Sequence, residues 1–190
     1  MKSIAIFASG TGSNAQNIIT YFKNNPDIYV NCVYSNKENA PVLHKAQQLG
    51  VPSLTFNKEN FYNSDLILET LKNQNPNIIV LAGFLWKFPE KIINAFSGKI
   101  INIHPALLPK FGGKGMYGMN VHKAVVANKE THSGITIHHV TKNYDEGATI
   151  FQEKVALSDT DTAADVAKKI HNLEAKHFPK IIEDVILNKI

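Results

Sequence analysis

Two polar residues interrupt an apolar run near the middle of the chain. The run reads I-I-N-I-H-P over residues 100–105, and its polar members are Asn102 and His104. Alternate side chains of an extended strand share a face, so an amide and an imidazole lie side by side. Pro105 cannot continue a central strand, which makes His104 the last strand residue. Open α/β sheets bind ligands at such strand ends, so the pair predicts a site; the alternative is a buried structural histidine beside a turn.

A carboxylate that could serve this pair lies in the segment N-Y-D-E-G, as Asp145. An aspartate near a glycine in a loop usually shapes a turn. If the loop instead lies across the top of the sheet from His104, the carboxylate favours the charged imidazole and raises its pKa. His138 and His139 alternate on a predicted strand, so only one of them can face the same site.

A glycine-rich turn near the N-terminus predicts a second polar site. Residues 10–15 read G-T-G-S-N-A, which fits the spacing of dinucleotide-binding folds between a strand and a helix. A nicotinamide cofactor needs an acidic residue at the end of the second strand, and residues 33–36 contain none. We therefore expect a simpler anion site, with free N–H groups at a helix N-terminus that Ser13 or Asn14 caps, or else a purely structural turn.

The elements that must position these residues alternate between strand and helix. We predict strands at 2–8, 28–34, 51–56, 78–82, 100–104, 133–140 and 149–157, and helices between 13 and 26 and at 40–49, 60–73, 89–96, 121–128 and 162–187. This order predicts a single α/β domain over residues 1–190, with a Rossmann-like, doubly wound, mostly parallel sheet. The last two strands are expected to be antiparallel additions, followed by a long C-terminal helix.

The composition narrows the range of partners. The chain of 190 residues carries a net charge of +4, yet all 20 basic residues are lysines and they form no basic stripe. We therefore expect no nucleic-acid partner, and any phosphate must be held by backbone N–H groups, hydroxyls or lysine. The single cysteine, Cys32, excludes a disulfide and a cysteine metal site, and no metal centre is expected. No apolar run has transmembrane length, so we expect a cytoplasmic protein without a membrane partner.

The motifs taken together resemble those of the folate-dependent formyltransferases. The string I-N-I-H-P-A-L-L-P is preceded by V-L-A-G-F and followed by Y-D-E-G. The resemblance to the branch that formylates glycinamide ribonucleotide extends over nearly the whole chain, from G-T-G-S-N to H-N-L-E. It implies one formyltransferase domain, in which residues 1–100 form a phosphate-binding half and residues 101–190 a catalytic and folate-binding half.

The resemblance also implies roles for individual residues. The catalytic residues would be Asn102, His104 and Asp145. The ribonucleotide would contact Gly12, Ser13, Asn14, His171 and Glu174. The folate would contact Leu85, Trp86, Lys87, Phe88, Asn102, Thr141, Lys142, Asn143, Tyr144 and Asp145.

The implied reaction is transfer of a formyl group from 10-formyltetrahydrofolate, a co-substrate, to the amine of 5'-phosphoribosylglycinamide in de novo purine biosynthesis. Asn102 and the His104 imidazolium would donate hydrogen bonds to the oxygen on which negative charge develops. Asp145 would keep His104 protonated and help to move a proton from the attacking amine to the leaving nitrogen. No metal, nicotinamide or covalent intermediate is needed, and we expect a monomer or a homodimer.

Two other functions fit parts of the sequence. The chain could formylate a different amine, such as an amino sugar, or it could be a non-catalytic nucleotide-binding module that uses only residues 10–14. Such a module has no need for Asn102, His104 and Asp145 together. Two features depart from the family pattern: no arginine lies near residues 60–65, and the loop 110–118 is longer and richer in glycine. We expect that loop to be mobile.

Overall fold

The computed structural model describes residues 1–190 and contains one seven-stranded sheet, in the order β3-β2-β1-β4-β5-β6-β7. The first five strands are parallel, β6 runs antiparallel to β5, and β7 runs antiparallel to β6. The strands are β1 (Lys2–Phe7), β2 (Ile28–Ser35), β3 (Ser53–Thr55), β4 (Ile78–Leu81), β5 (Ile100–His104), β6 (His132–His139) and β7 (Thr149–Ala156). The predicted Rossmann-like fold, with its antiparallel additions, is confirmed.

Six α-helices connect and cover these strands. They are α1 (Ser13–Phe22), α2 (Pro41–Gln48), α3 (Leu66–Gln74), α4 (Glu90–Ala95), α5 (Met119–Ala127) and α6 (Ala163–Ile186). The long C-terminal helix α6 is as predicted, and it begins with a capping box in which Thr162 and Asp165 satisfy each other's backbone N–H groups. No helix is long and apolar enough to cross a membrane.

The central strands of the sheet determine where the predicted site lies. The four residues of β4 are all buried and form the middle strand, because apolar helices cover both faces of the sheet. One face packs into a cluster of 29 buried residues that includes Ile4 and Ile6, and the other into a cluster of 15 that includes Ala5 and Phe7. The strand order reverses between β1 and β4, which is where such sheets bind ligands.

The third predicted helix differs from the observed structure. Residues 60–73 were expected to form one helix, but a single π turn (Glu59–Asn63) comes first and α3 begins only at Leu66. Ser64 between them is extended. Local side-chain bonds explain the break: Asn57 accepts from the Asn60 N–H, and Asn63 donates to Glu59, so these polar groups compete with a regular helix.

Candidate active site

A cavity of about 650 Å³ opens at the carboxyl ends of the central strands. Its walls include loop 10–14 after β1, Asn102 and His104 on β5, and Asp145 in the loop between β6 and β7. The predicted catalytic residues and the predicted anion loop therefore line the same space. His104 is the last residue of β5, as expected from Pro105.

The neighbouring strand β6 fixes the side chain of Asn102. Asn102 pairs with His138 in the sheet register, and its Nδ2 lies 3.1 Å from His138 Nε2. His138 Nδ1 lies 2.8 Å from the carbonyl oxygen of His139, which can only accept, so Nδ1 carries the proton. In the neutral ring, His138 Nε2 accepts from Asn102, and the second Nδ2 hydrogen of the amide remains for a ligand.

His104 is almost fully buried, with 3% of its surface exposed. Its Nε2 lies 2.8 Å from the Phe111 carbonyl oxygen and must donate to it, while Nδ1 lies 3.5 Å from Asp145 Oδ2. Burial lowers the pKa of His104, and the opposing effects of Asp145 and the Phe111 carbonyl do not offset it. Asp145 therefore acts on His104 in the expected direction, but burial is the larger effect, and the net shift of the pKa is opposite to the expected rise.

Asp145 keeps its charge at the edge of the cavity. Burial acts to raise its pKa, but His138, His104 and the Gly113 N–H hold that pKa below the ordinary range. The Gly113 N–H donates to Oδ2 over 2.9 Å, and Oδ1 lies 3.6 Å from His138 Nε2. The backbone of Asp145 is left-handed, at φ 56°. A non-glycine residue in that conformation at a polar cavity is a feature typical of functional sites.

The loop at the other end of the cavity depends on a glycine. Gly12 has φ 73°, and a Cβ atom there would lie 2.4 Å from Val42 Cγ2. Gly12 is also the N-cap of α1, and no side chain caps the helix. The expectation that Ser13 or Asn14 caps it is wrong, because both already lie in the first helical turn. The N–H groups of that turn have no partner within the helix, which makes this end suited to an anion.

Helix α6 contributes two of the predicted ribonucleotide contacts. Both His171 and Glu174 line the cavity, three residues apart on the helix. Asn14 Nδ2 donates to Glu174 Oε2 over 3.0 Å, which ties α1 to α6 at this end of the cavity. Burial raises the pKa of Glu174, while the Asn14 hydrogen bond and His171 lower it by less.

The predicted folate contacts form the rim of the cavity, with one exception. Leu85, Trp86, Lys87, Phe88, Asn102, Thr141, Asn143, Tyr144 and Asp145 all line it. Lys142 does not: it is exposed in the loop and lies outside the cavity lining. The Leu85 N–H donates to Ser9 Oγ over 3.0 Å, which ties this rim to the end of β1.

The cavity also contains residues that the sequence did not single out. His138 was one of two alternatives, and only the register of β6 against β5 selects it. His122 on α5 was not foreseen, because a histidine in a short helix gives no signal. Loop 110–118 was expected to be mobile, yet Phe111 and Gly113 bond His104 and Asp145. No group of three or more His, Cys, Asp or Glu side chains is arranged to hold a metal ion.

Comparison with known proteins gives consistent similarities. A family model described as formyl transferase matches residues 2–182. A phosphoribosylglycinamide formyltransferase of Bacillus subtilis is 34% identical over 191 residues, covering 98% of this chain and 95% of that protein. A chloroplastic phosphoribosylglycinamide formyltransferase of Vigna unguiculata is 36% identical over 196 residues, covering 100% of this chain but only 62% of that protein.

A solved structure with a similar fold carries the same name as these two relatives. The crystal structure of phosphoribosylglycinamide formyltransferase from Anaplasma phagocytophilum matches with a TM-score of 0.90 and 30% sequence identity. The match covers 99% of this chain and 88% of that chain. The similarity therefore includes the strands and helices that surround the cavity.

Proposed function

The chain belongs to the formyl transferase family, and from that premise we propose that it formylates the amine of 5'-phosphoribosylglycinamide, a step of purine biosynthesis, with 10-formyltetrahydrofolate as donor. The observation that carries this proposal is the meeting of Asn102, His104 and Asp145 in one cavity that also contains a free helix N-terminus. The three side chains are suited to acyl transfer, and the helix N-terminus is suited to binding a phosphate.

The ribonucleotide occupies the end of the cavity formed by residues 10–14 and α6. Residues 10–14 belong to the phosphate-binding half 1–100, and α6 is the C-terminal helix that covers this end. Its phosphate accepts hydrogen bonds from the free N–H groups at the start of α1, helped by the positive end of the helix dipole. Gly12 allows a close approach because it has no side chain. His171 and Glu174 meet the ribose, whose hydroxyls suit both groups.

The formyl folate occupies the rim formed by residues 85–88 and 141–145. Trp86 and Phe88 belong to an aromatic group around Phe61, which supplies flat apolar surface for a fused ring. The chain has no arginine to meet a folate carboxylate. Lys58 Nζ lies 5.9 Å from the centre of the Trp86 ring.

The chemical step is a direct attack of the neutral amine on the formyl carbon. A C–N bond forms to the amine, and negative charge develops on the formyl oxygen. The free amide hydrogen of Asn102 and the Nε2 hydrogen of His104 donate to that oxygen. The Phe111 carbonyl, which accepts from His104 in the free protein, has to give way to it. A neutral imidazole is sufficient for this role, because it donates through Nε2.

Asp145 handles the proton that the reaction must move. The attacking amine gains positive charge as its bond forms, and the charged carboxylate stabilises it. The proton then passes to the folate nitrogen as the bond between that nitrogen and the formyl carbon breaks, directly or through a water molecule. No metal, nicotinamide or covalent intermediate takes part, and a monomer or homodimer suffices.

One assay separates this function from the two alternatives. Purified protein is mixed with 10-formyl-dideazafolate and phosphoribosylglycinamide, and the deformylated folate is followed by absorbance. A parallel reaction contains an amino sugar phosphate as the amine. We expect turnover with the ribonucleotide and none with the amino sugar phosphate. Turnover with the sugar alone would favour the other amine, and folded protein that binds the ribonucleotide without turnover would favour the non-catalytic module.

A further inference from the structure

His122 is a buried imidazole that faces the cavity and has no role in the mechanism above. It lies in the first turn of α5, lines the cavity, and has only 3% of its surface exposed. Its Nδ1 atom is buried without a hydrogen-bond partner. A buried polar atom without a partner is costly, so such a group beside a cavity points to a ligand that supplies the missing bond.

The surroundings of His122 define which part of a ligand it can meet. The imidazoles of His171 and His104 are close enough to affect its ionisation, the first at the ribonucleotide end and the second at the reacting end. Burial first, and then these two histidines, lower the pKa of His122 to about 4. It is therefore neutral at pH 7, with one N–H donor and one acceptor nitrogen.

We propose that His122 is a substrate-binding residue that hydrogen-bonds the carboxamide between the ribose and the attacking amine. This proposal rests on the proposed function, because it needs a substrate that spans from the phosphate loop to His104. A carboxamide has one N–H and one carbonyl oxygen, which a neutral imidazole can match in either direction. A half-turn of the ring exchanges the positions of Nδ1 and a ring carbon. The imidazole can therefore turn a nitrogen toward the carboxamide without any movement of the backbone.

Two polar side chains of the cavity already have partners, and His122 is the lining residue that has a buried side-chain nitrogen without one. Asn14 donates to Glu174, and Asn102 donates to His138. His122 is thus the unpartnered group between the two ends. A bond to the carboxamide would also set the direction of the amine that follows it, so His122 contributes to choosing this amine over others that carry the same ribose phosphate.

The test compares two ligands that differ in the group concerned. Binding of phosphoribosylglycinamide and of ribose 5-phosphate, which lacks the carboxamide, is measured by calorimetry with the full chain. His122→Leu should weaken the first about tenfold, the loss expected for one unpaired polar contact, and the second less than about twofold. His122→Asn, which keeps a donor and an acceptor, should stay within about threefold for both. His44→Leu, the same change at an exposed position outside this cavity, is the matched control.

Each outcome decides between the proposals. Equal weakening of both ligands, or no weakening, would overturn the role of His122 while leaving formyl transfer by the wild type intact. A wild type that neither binds nor formylates the ribonucleotide would overturn the proposed function and this inference together. If His122→Leu fails to fold, His122→Asn decides: a loss above about tenfold for both ligands, without a change in melting temperature, would contradict the carboxamide contact.

Discussion

The two ends of the cavity are built in different ways. The proposed anion end, residues 10–14, consists of the turn after β1 and the first two residues of α1, and the groups proposed to bind are backbone N–H groups. The catalytic end consists of Asn102, His104, His138 and Asp145, which come from two strands and a loop. The anion end therefore depends on backbone conformation, and the catalytic end on side chains that meet only when the sheet is complete.

The same difference appears in the electrostatics. Burial raises the pKa of Glu174 beside the anion end, whereas it lowers the pKa of His104 at the catalytic end. Both shifts favour the neutral form, so burial removes charge at either end. Asp145 is the exception, because its pKa lies below the ordinary value and the Gly113 N–H donates to its carboxylate. A site without arginine thus keeps a charged carboxylate where the proposed proton transfer takes place.

The largest expected effect is loss of a hydrogen-bond donor at the catalytic end. His104→Ala and Asn102→Ala should each lower kcat by roughly 10² to 10³, the scale for removing one donor to a developing oxyanion. The ribonucleotide affinity should change little, because its phosphate is held at the opposite end. Steady-state kinetics and calorimetry measure the two quantities. A variant that keeps near wild-type kcat would show that its residue is structural.

The next effect is a change of backbone conformation at the anion end. Gly12→Val should destabilise the protein by about 3 kcal/mol, since a left-handed β-branched residue would also collide with Val42. The KM for the ribonucleotide should rise, with the folate KM nearly unchanged. Gly10→Val is the matched control for the loss of stability, because a Cβ there meets nothing within 4 Å and the backbone is not left-handed. Thermal unfolding and kinetics test both; equal loss of the two substrates in Gly12→Val would mean that the fold, and not the loop, is affected.

The sequence predicts the turn after β1 and the backbone frame well, because both depend on local signals. Glycine spacing after a strand indicates the turn, and alternation with a following proline places Asn102 and His104 on one face at a strand end. The four apolar residues of β4 indicate a central strand. These features are properties of five to ten consecutive residues, and each is confirmed.

What the sequence does not predict depends on contacts between distant segments. The selection of His138 needs the β5–β6 register, and the pKa of His104 needs the extent of burial. His122 reaches the cavity only through the position of α5. Lys142 lies outside the cavity lining although Thr141 and Asn143 belong to it, and this depends on the conformation of the loop. The roles of all these residues stay predictions until variants are measured.

A third effect, of about 2 kcal/mol, is a difference in acid stability. The pKa of His122 is lowered to about 4, whereas the unfolded chain has an ordinary histidine pKa near 6.5. The unfolded state therefore binds more protons between these values, and stability falls as the pH drops through that window. His122→Asn removes this proton uptake. Between pH 7 and pH 5, the wild type should lose about 2 kcal/mol more than the variant in denaturant titrations. Parallel losses would mean that His122 has an ordinary pKa.

The smallest expected effect is an unchanged shape of the profile of kcat/KM against pH. It tests whether His104 acts as a neutral imidazole or as an imidazolium. The pKa of His104 lies below the ordinary value, and Asp145 is the main group that opposes the lowering. Removing that charge in Asp145→Asn should lower the pKa further. If catalysis needed the imidazolium, kcat/KM would fall above the His104 pKa, and the fall would begin at a lower pH in the variant.

If the neutral imidazole donates to the oxyanion, neither protein shows that fall. Then kcat/KM should rise until about pH 8, as an amine with a pKa near 7.7–8.0 loses its proton, and stay level to about pH 9. Asp145→Asn should have the same shape at a lower height, because it lacks the carboxylate that moves the proton. Profiles of kcat/KM against pH for both proteins provide the comparison. A wild-type decline near pH 7 that moves toward acid in the variant would contradict the neutral donor and restore the imidazolium.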